Sequence, residues 1–350
     1  MTDRLRALDD RRGLAQAFAV VETPSPALER FAAQHPAGYC PYPDLEERVA
    51  FWDAHLRRTT EVCDDGVPAV YLSECDQGLY GGLVGGRVEY MAHPENGWIS
   101  SMVEPVLADW SEFSGLSVDP QAVAFDRFRT QLDTFCRAGQ GKFGISHFIL
   151  IDGLNFIFEL LGATRTYLAL VDEPDLVRQA IDLAFELNVL VQNTFFDASV
   201  LVDGGTCSNM VQWIPGRIVS ESVDPFHMTS VAVFEQWGRA PVERILAEYD
   251  GGVVHIHGNG RHLLEAVATI KGLRAVLLAD DVGFPRAFDI LPAVRRRVGD
   301  LPLVVFCRWE EITAALDHGG LTGGVLYRVQ GVPDPDTANR LMDRIRACRC

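Results

Sequence analysis

The chain has 350 residues, 48 of them acidic and 31 basic, for a formal net charge of −17. That length supports a large hydrophobic core, and the acidic balance argues against nucleic acid or an anionic membrane as partner, because both bind through basic patches. A small-molecule substrate held by a few local arginines remains compatible with it.

The opening MTDRLRALDDRRG lacks an apolar signal core. The apolar stretch Phe148 to Leu161 is interrupted by Asp152, Asn155 and Glu159, and no run reaches the length of a membrane span. Eight scattered cysteines read as reduced thiols, which makes a cytoplasmic location the expectation. Turns and helices are expected up to about Arg58. A strand is expected over Val67 to Ser73, and a glycine-rich strand or hairpin over Gly78 to Met91. The four glycines Gly81, Gly82, Gly85 and Gly86 lack the Lys-Ser/Thr of a phosphate loop. Apolar residues three to four apart predict a helix from Asp119 to Ala138. FGISHFILID reads as a buried strand and LNFIFELLG as a helix. Asp172-Glu173-Pro174 supplies the acidic start and early proline of a long helix.

The second half keeps one rhythm. VVHIH, LRAVLLADD, LPLVVFCRW and GGVLYRVQG are short apolar runs, each followed by a helical pattern. Continuous apolar strands alternating with helices predict a parallel sheet covered by helices, and their number favours a single-domain (β/α)₈ barrel. The expected division is a helical N-terminal extension over 1–66, the barrel over 67–345, and a frayed tail over 346–350 with Cys348 and Cys350 reduced.

Barrel chemistry sits at the C-terminal ends of strands. That rule selects His147, Asp152, Cys207, Asn209, His255, His257, Asn259, Asp280, Asp281, Cys307, Arg308, Tyr327, Arg328 and Gln330. Residues two apart on a strand share a face, so His255 and His257 can share a metal ion. Alternatively, one packs in the core and the other caps a helix. A metal needs a third ligand, for which Cys207, Cys307, Asp280, Glu221 and Gln330 are candidates. Gly258 and Gly260 allow a backbone to pass close to a ligand. Asp280 and Asp281 can orient a histidine, act as a base, or cap a helix. Arg308 and Arg328 stand where a carboxylate or phosphate could be clamped. Asn259, Asp281, Arg328, His147 and Trp213 complete a candidate substrate site.

Five segments carry a resemblance: WISSMVEPVLADWSEFSGL, YLALVDEPDLVRQAIDLAFELN, SESVDPFHMTSVAVFEQW, VVHIHGNGRHLLEAV and GGLTGGVLYRVQGVPDPDTANRLM. Together they resemble the uroporphyrinogen decarboxylase superfamily, in particular its methyltransferase-like branch. The resemblance implies a (β/α)₈ barrel and a zinc site that serves methyl transfer between a corrinoid protein and a small acceptor. The family's His-x-Cys falls on His255 and His257, and its last cysteine on Gln330. Both thiolates are replaced, which implies a harder site, with His255, His257 and Gln330 as ligands to a divalent metal. The leading function is methyl transfer involving a small-molecule or corrinoid-bound methyl group, with His255, His257, Asp280 and Arg308 carrying the chemistry. The alternatives are decarboxylation of a carboxylated small molecule, with Asp280 stabilising a protonated intermediate, and a non-catalytic binding protein.

Overall fold

A computed structural model describes residues 2–147 and 153–350. Thirteen strands are found in them: β1 Ala17–Val21, β2 Gly38–Cys40, β3 Ala69–Tyr71, β4 Val88–His93, β5 Trp98–Val103, β6 Gly144–His147, β7 Gly205–Ser208, β8 Gln212–Pro215, β9 Val219–Ser222, β10 Gly252–Ile256, β11 Leu273–Leu278, β12 Leu303–Arg308 and β13 Val325–Gln330. The main sheet has six parallel strands in the order β1-β13-β12-β11-β10-β9. In a second sheet β3, β6 and β7 run parallel and β8 folds back antiparallel on β7. The strands β2, β4 and β5 form a small antiparallel sheet of their own.

The parallel α/β arrangement is the expected one, but ladder hydrogen bonds do not run unbroken round eight strands among the described residues. Isolated hydrogen bonds, most of them through side chains, bridge the two gaps instead. Between β1 and β3, the Asp65 N–H donates to the Ala19 carbonyl at 2.9 Å, and the carboxylates of Asp65 and Asp64 accept from the N–H groups of Ala19 and Val21 at 2.9 and 2.8 Å. On the other side, Thr206 Oγ1 accepts from the Ile218 N–H at 3.0 Å, and the hydroxyls of Ser208 and Ser220 meet at 3.2 Å. Strands of three or four residues leave few backbone groups to pair on both flanks, so polar side chains satisfy the remainder.

One face of the main sheet is apolar at its base. Phe18, Val253, Ala275, Leu277, Val304 and Leu326 form one buried cluster with Leu5 and Leu8 of the helix Thr2–Asp9. Their neighbours Val254, Val276, Val305 and Tyr327 pack instead with the helical layer. This is the period-two alternation of a sheet buried on both faces. The short amphipathic helix at the N-terminus therefore closes the base of the inner face. Following the inner row upward along each strand gives His255 and His257, Phe306 and Arg308, Arg328 and Gln330.

Several local expectations are corrected. The segment 1–66 is more than a helical extension, since AFAVV supplies β1, an integral strand of the main sheet. The glycine-rich Gly78–Met91 begins as the helix Gln77–Gly82, and only its end enters β4. A Cβ at Gly81 would lie 2.3 Å from Val103 and 2.7 Å from Glu159, so Gly81 serves close packing, whereas Gly85 faces open space at a φ of +93° and serves a turn. The strands β8 and β9 were not foreseen. The helix after β11 begins only at Leu291, with Pro292 in its first turn. The tail is tied down, with Cys350 N–H donating to the Ala15 carbonyl at 3.2 Å and Cys348 packed on the core. All eight cysteines are free thiols. Asp152 lies outside the described residues. No single helix among the described residues is long and apolar enough to cross a membrane.

Candidate metal centre

Strand register builds the site. His255 of β10 pairs with Ser222 of β9, so two further residues along each chain bring Asp224 beside His257. Asp224 opens the 3₁₀ turn Asp224–Met228, with Pro225 in its first turn. The Tyr167 hydroxyl anchors that turn through the Pro225 carbonyl at 2.7 Å. One ligand atom from each of Asp224, His255 and His257 lies within 4.8 Å of the others. His255 Nε2 stands 2.9 Å and His257 Nε2 3.9 Å from Asp224 Oδ1. The second nitrogen of His257, Nδ1, lies 2.9 Å from Asp281 Oδ1. A histidine that meets a carboxylate through one nitrogen and turns the other toward a cluster of donors has the usual arrangement of a metal ligand.

The electrostatics match. Burial works to raise the Asp224 pKa, but His255, His227 and His257 outweigh it and hold the carboxyl at about 2. Burial disfavours charge on His255, yet Asp224 more than offsets this and its pKa is raised. Asp224 and His255 thus hold a proton between them where a cation could sit. His227 lies 3.5 Å from Asp224, but burial, the largest influence, lowers its pKa to about 4, so it is neutral at pH 7. Burial also lifts Asp76, on the near side of His255, to about 7.

Other sequence-selected residues lie elsewhere or do other work. Asp280 accepts from the Ala287 N–H at 2.7 Å and sits between Arg261 and Arg286 at 3.4 and 3.5 Å. It anchors a loop, and Asp281 is the aspartate that meets His257. His147 is a core residue: its ring bonds Gln192, accepts from the Ser220 N–H at 3.3 Å, and packs on Phe195 and Phe196. Trp213 is buried at the sheet base with Leu5 and Leu8, its indole N–H on the Val202 carbonyl at 2.6 Å, far from a substrate wall at the strand ends. Gln330 donates to Glu22 at 3.3 Å, and the third position beside the histidines belongs to Asp224. Cys207 is in the basal cluster and Cys307 faces the helical layer. Glu221 shares the face of Val219, which packs on the same layer. Arg308 ends β12 exposed at the rim. Arg328 donates to the Asn209 carbonyl at 3.0 Å and stands 3.6 Å from Glu22. The Asn259 backbone N–H donates to Asp281 at 3.4 Å.

The two glycines after the histidines have a different partner from the expected ligand. A Cβ at Gly260 would fall 2.1 Å from the His227 ring, and one at Gly258 2.9 Å from Phe284. Asp224 was missed because an acidic residue before proline reads as turn chemistry. The available signal was its offset: two residues beyond a strand that neighbours the histidine strand.

The chain belongs to the class of parallel α/β folds that carry a polar cluster, here His-His-carboxylate, at the C-terminal strand ends. Within that class the chain is similar over its full length to a solved methyltransferase from Methanosarcina mazei, at 16% identity, covering 98% of this chain and 97% of that one, with a TM-score of 0.62. A B12-independent methionine synthase from Shewanella sp. W3-18-1 is also similar, at 12% identity, 96% coverage of each chain and a TM-score of 0.46. The first likeness is one of fold, a mixed α/β fold built on a parallel sheet. No protein-family profile matches the chain, and no curated protein does.

Proposed function

We propose that this protein is a metal-dependent enzyme of the methyl-transfer type, acting on a small molecule, with Asp224, His255 and His257 holding one divalent cation. The observation that carries this is the convergence of those three ligand atoms within 4.8 Å at the end of β10. Two imidazoles, one carboxylate and an open side fit a catalytic zinc or ferrous ion better than a closed thiolate site. When bound, such an ion supplies Lewis-acid polarisation of the acceptor. The chain's own groups hold the geometry: Asp281 orients the His257 ring, and Asp224 faces both imidazoles. The methyl source in this reading is a small methyl compound or a corrinoid-borne methyl group, the latter brought by a partner protein. The fold shared with a methyltransferase supports the reaction type, and a barrel closed across the two bridged gaps is the scaffold proposed for it.

Elemental analysis of purified protein, followed by optical measurement of methylcobalamin demethylation with a small thiol, tests this directly. One divalent ion per chain is expected, with His255→Ala, His257→Ala and Asp224→Ala each losing the metal and at least about 100-fold of the rate. A wild-type protein that holds no divalent ion after reconstitution with zinc, manganese or ferrous iron would sink it.

A further inference from the structure

The register of the main sheet continues the metal row sideways. His255 aligns with Leu277, Val304, Leu326 and Phe18 across β11, β12, β13 and β1. The next inward row therefore runs from His257 to Phe306 and Arg328, which pair directly, and the row above it holds Arg308 opposite Gln330. Strands lie about 4.8 Å apart and successive inward residues about 6.6 Å along a strand, which puts Arg308 about 12 Å and Arg328 about 14 Å from His257 along the sheet, and less across its curve.

Both arginines have donors to spare. The Arg308 guanidinium makes no hydrogen bond or ion pair among the described residues, and only the backbone of Arg308 is engaged, by Glu311 at 2.7 Å. Arg328 is half-buried over the Phe306 ring at 5.0 Å and has a buried Nε without a partner. Two acidic groups stand beside the pair: the exposed Glu22, 3.6 Å from Arg328, and Glu311, which accepts from the Arg308 N–H and feels the Arg308 charge but is also engaged by Arg286. On a chain of net charge −17, two under-paired guanidinia on adjacent strands and successive inward rows of one sheet face are a local exception. The opposite lip is apolar. Met228, Val282 and Phe284 are exposed. Met228 Sδ lies 3.8 Å from Asn259 Nδ2, and Phe284 packs on Gly258, so both flank His257.

We infer that the site takes a small organic anion, with its oxyanion end held by Arg308 and Arg328 and its apolar part lying over Phe306 toward the Met228–Phe284 lip beside His257. The inference names the substrate class for the site proposed above, yet its anion grip is independent of whether a metal is bound. Guanidinium forks match the oxygens of carboxylate, phosphate and sulfonate alike.

Calorimetric titration of the full chain, as purified and after chelation, with hexanoate, hexyl phosphate, hexanesulfonate, acetate and hexanol tests it. At least one of the three six-carbon anions should bind about 10-fold or more tighter than hexanol in both preparations, and the preferred head group identifies the oxyanion. Arg308→Gln, at an exposed position, should weaken that anion about 10-fold with the melting temperature unchanged, and Arg308→Lys should recover part of the loss. Arg328→Gln should show a similar loss. Hexanoate should bind tighter than acetate, and Phe284→Ser should narrow that gap. Hexanol binding as well as every anion, or anion affinity unchanged within twofold in both glutamine variants, overturns the inference. Arginine-dependent binding in a protein that never takes up metal would uphold it while removing the metal reading.

Discussion

His257 meets Asp281 through one ring nitrogen and faces Asp224 with the other, so its orientation depends on a residue that is not itself in the ligand cluster. Asp281 also accepts from the Asn259 backbone. Burial, the largest single influence, works to raise its pKa, but the hydrogen bond and charge of His257 together with the Asn259 and Gly258 N–H groups outweigh it and lower it. Removing such an orienting carboxylate typically costs 10- to 100-fold in metal affinity. Asp281→Ala is accordingly expected to weaken zinc or manganese binding by about 10- to 100-fold in a competition titration. The melting temperature of the metal-free protein should change little, because Asp281 is partly exposed. Unchanged affinity would show that His257 is oriented by its packing alone.

At the scale of elements, the loop Gly258–Leu263 and the turn Asp224–Met228 fit together through one glycine. A methyl group at Gly260 would overlap the His227 ring, whose own side is fixed by the buried turn. Gly260→Ala should cost about 1–3 kcal/mol of stability through overpacking and also loosen the metal site, because the shifted turn carries Asp224. Thermal melting and metal content are expected to fall together. A contrasting case lies away from the site. Arg48 and Glu74 form a fully buried pair at 2.5 Å, with Arg48 also donating to the Gly97 carbonyl at 2.9 Å and Gln131 donating to Glu74 at 2.6 Å. Arg48→Met leaves a buried carboxylate without its cation and should cost about 3–5 kcal/mol in urea unfolding. Metal content should remain as in wild type; a parallel loss would show that these two regions are coupled.

The whole molecule depends on the side-chain bridges that connect its two parallel sheets. Asp64 makes one of them, accepting from the Val21 and Gly66 N–H groups at 2.8 and 2.7 Å. Burial nevertheless dominates and raises its pKa to about 6. The folded protein therefore binds this proton more tightly than the unfolded chain, whose aspartate titrates near 3.9. Its contribution to stability is fully present below about pH 4 and is lost as pH rises through 6, a change of about 3 kcal/mol at most. Urea unfolding of wild type and Asp64→Asn at pH 4 and pH 7 measures this. The stability of wild type relative to the variant should be greater at pH 4 than at pH 7, and the opposite trend would refute the assignment.

The apolar runs at β10 to β13 and the helical periods between them were legible in the sequence because burial on both faces leaves a one-dimensional trace. The His255–His257 pair was legible for the same reason, since strand alternation fixes a shared face without any distance being known. Asp281 was legible as one of two adjacent aspartates, but not which of them would turn to the histidine. The tertiary structure decided that, because Asp280 is drawn to Arg261 and Arg286, which come from separate loops. It also decided the third member of the cluster: Asp224 and His257 are 33 positions apart and become neighbours only through the β9–β10 register. His147 and Trp213 were misassigned because a polar residue near a strand end looks the same in sequence whether it faces a cavity or meets a buried partner. Local pattern specifies which face a side chain takes, whereas long-range strand pairing determines what stands opposite it.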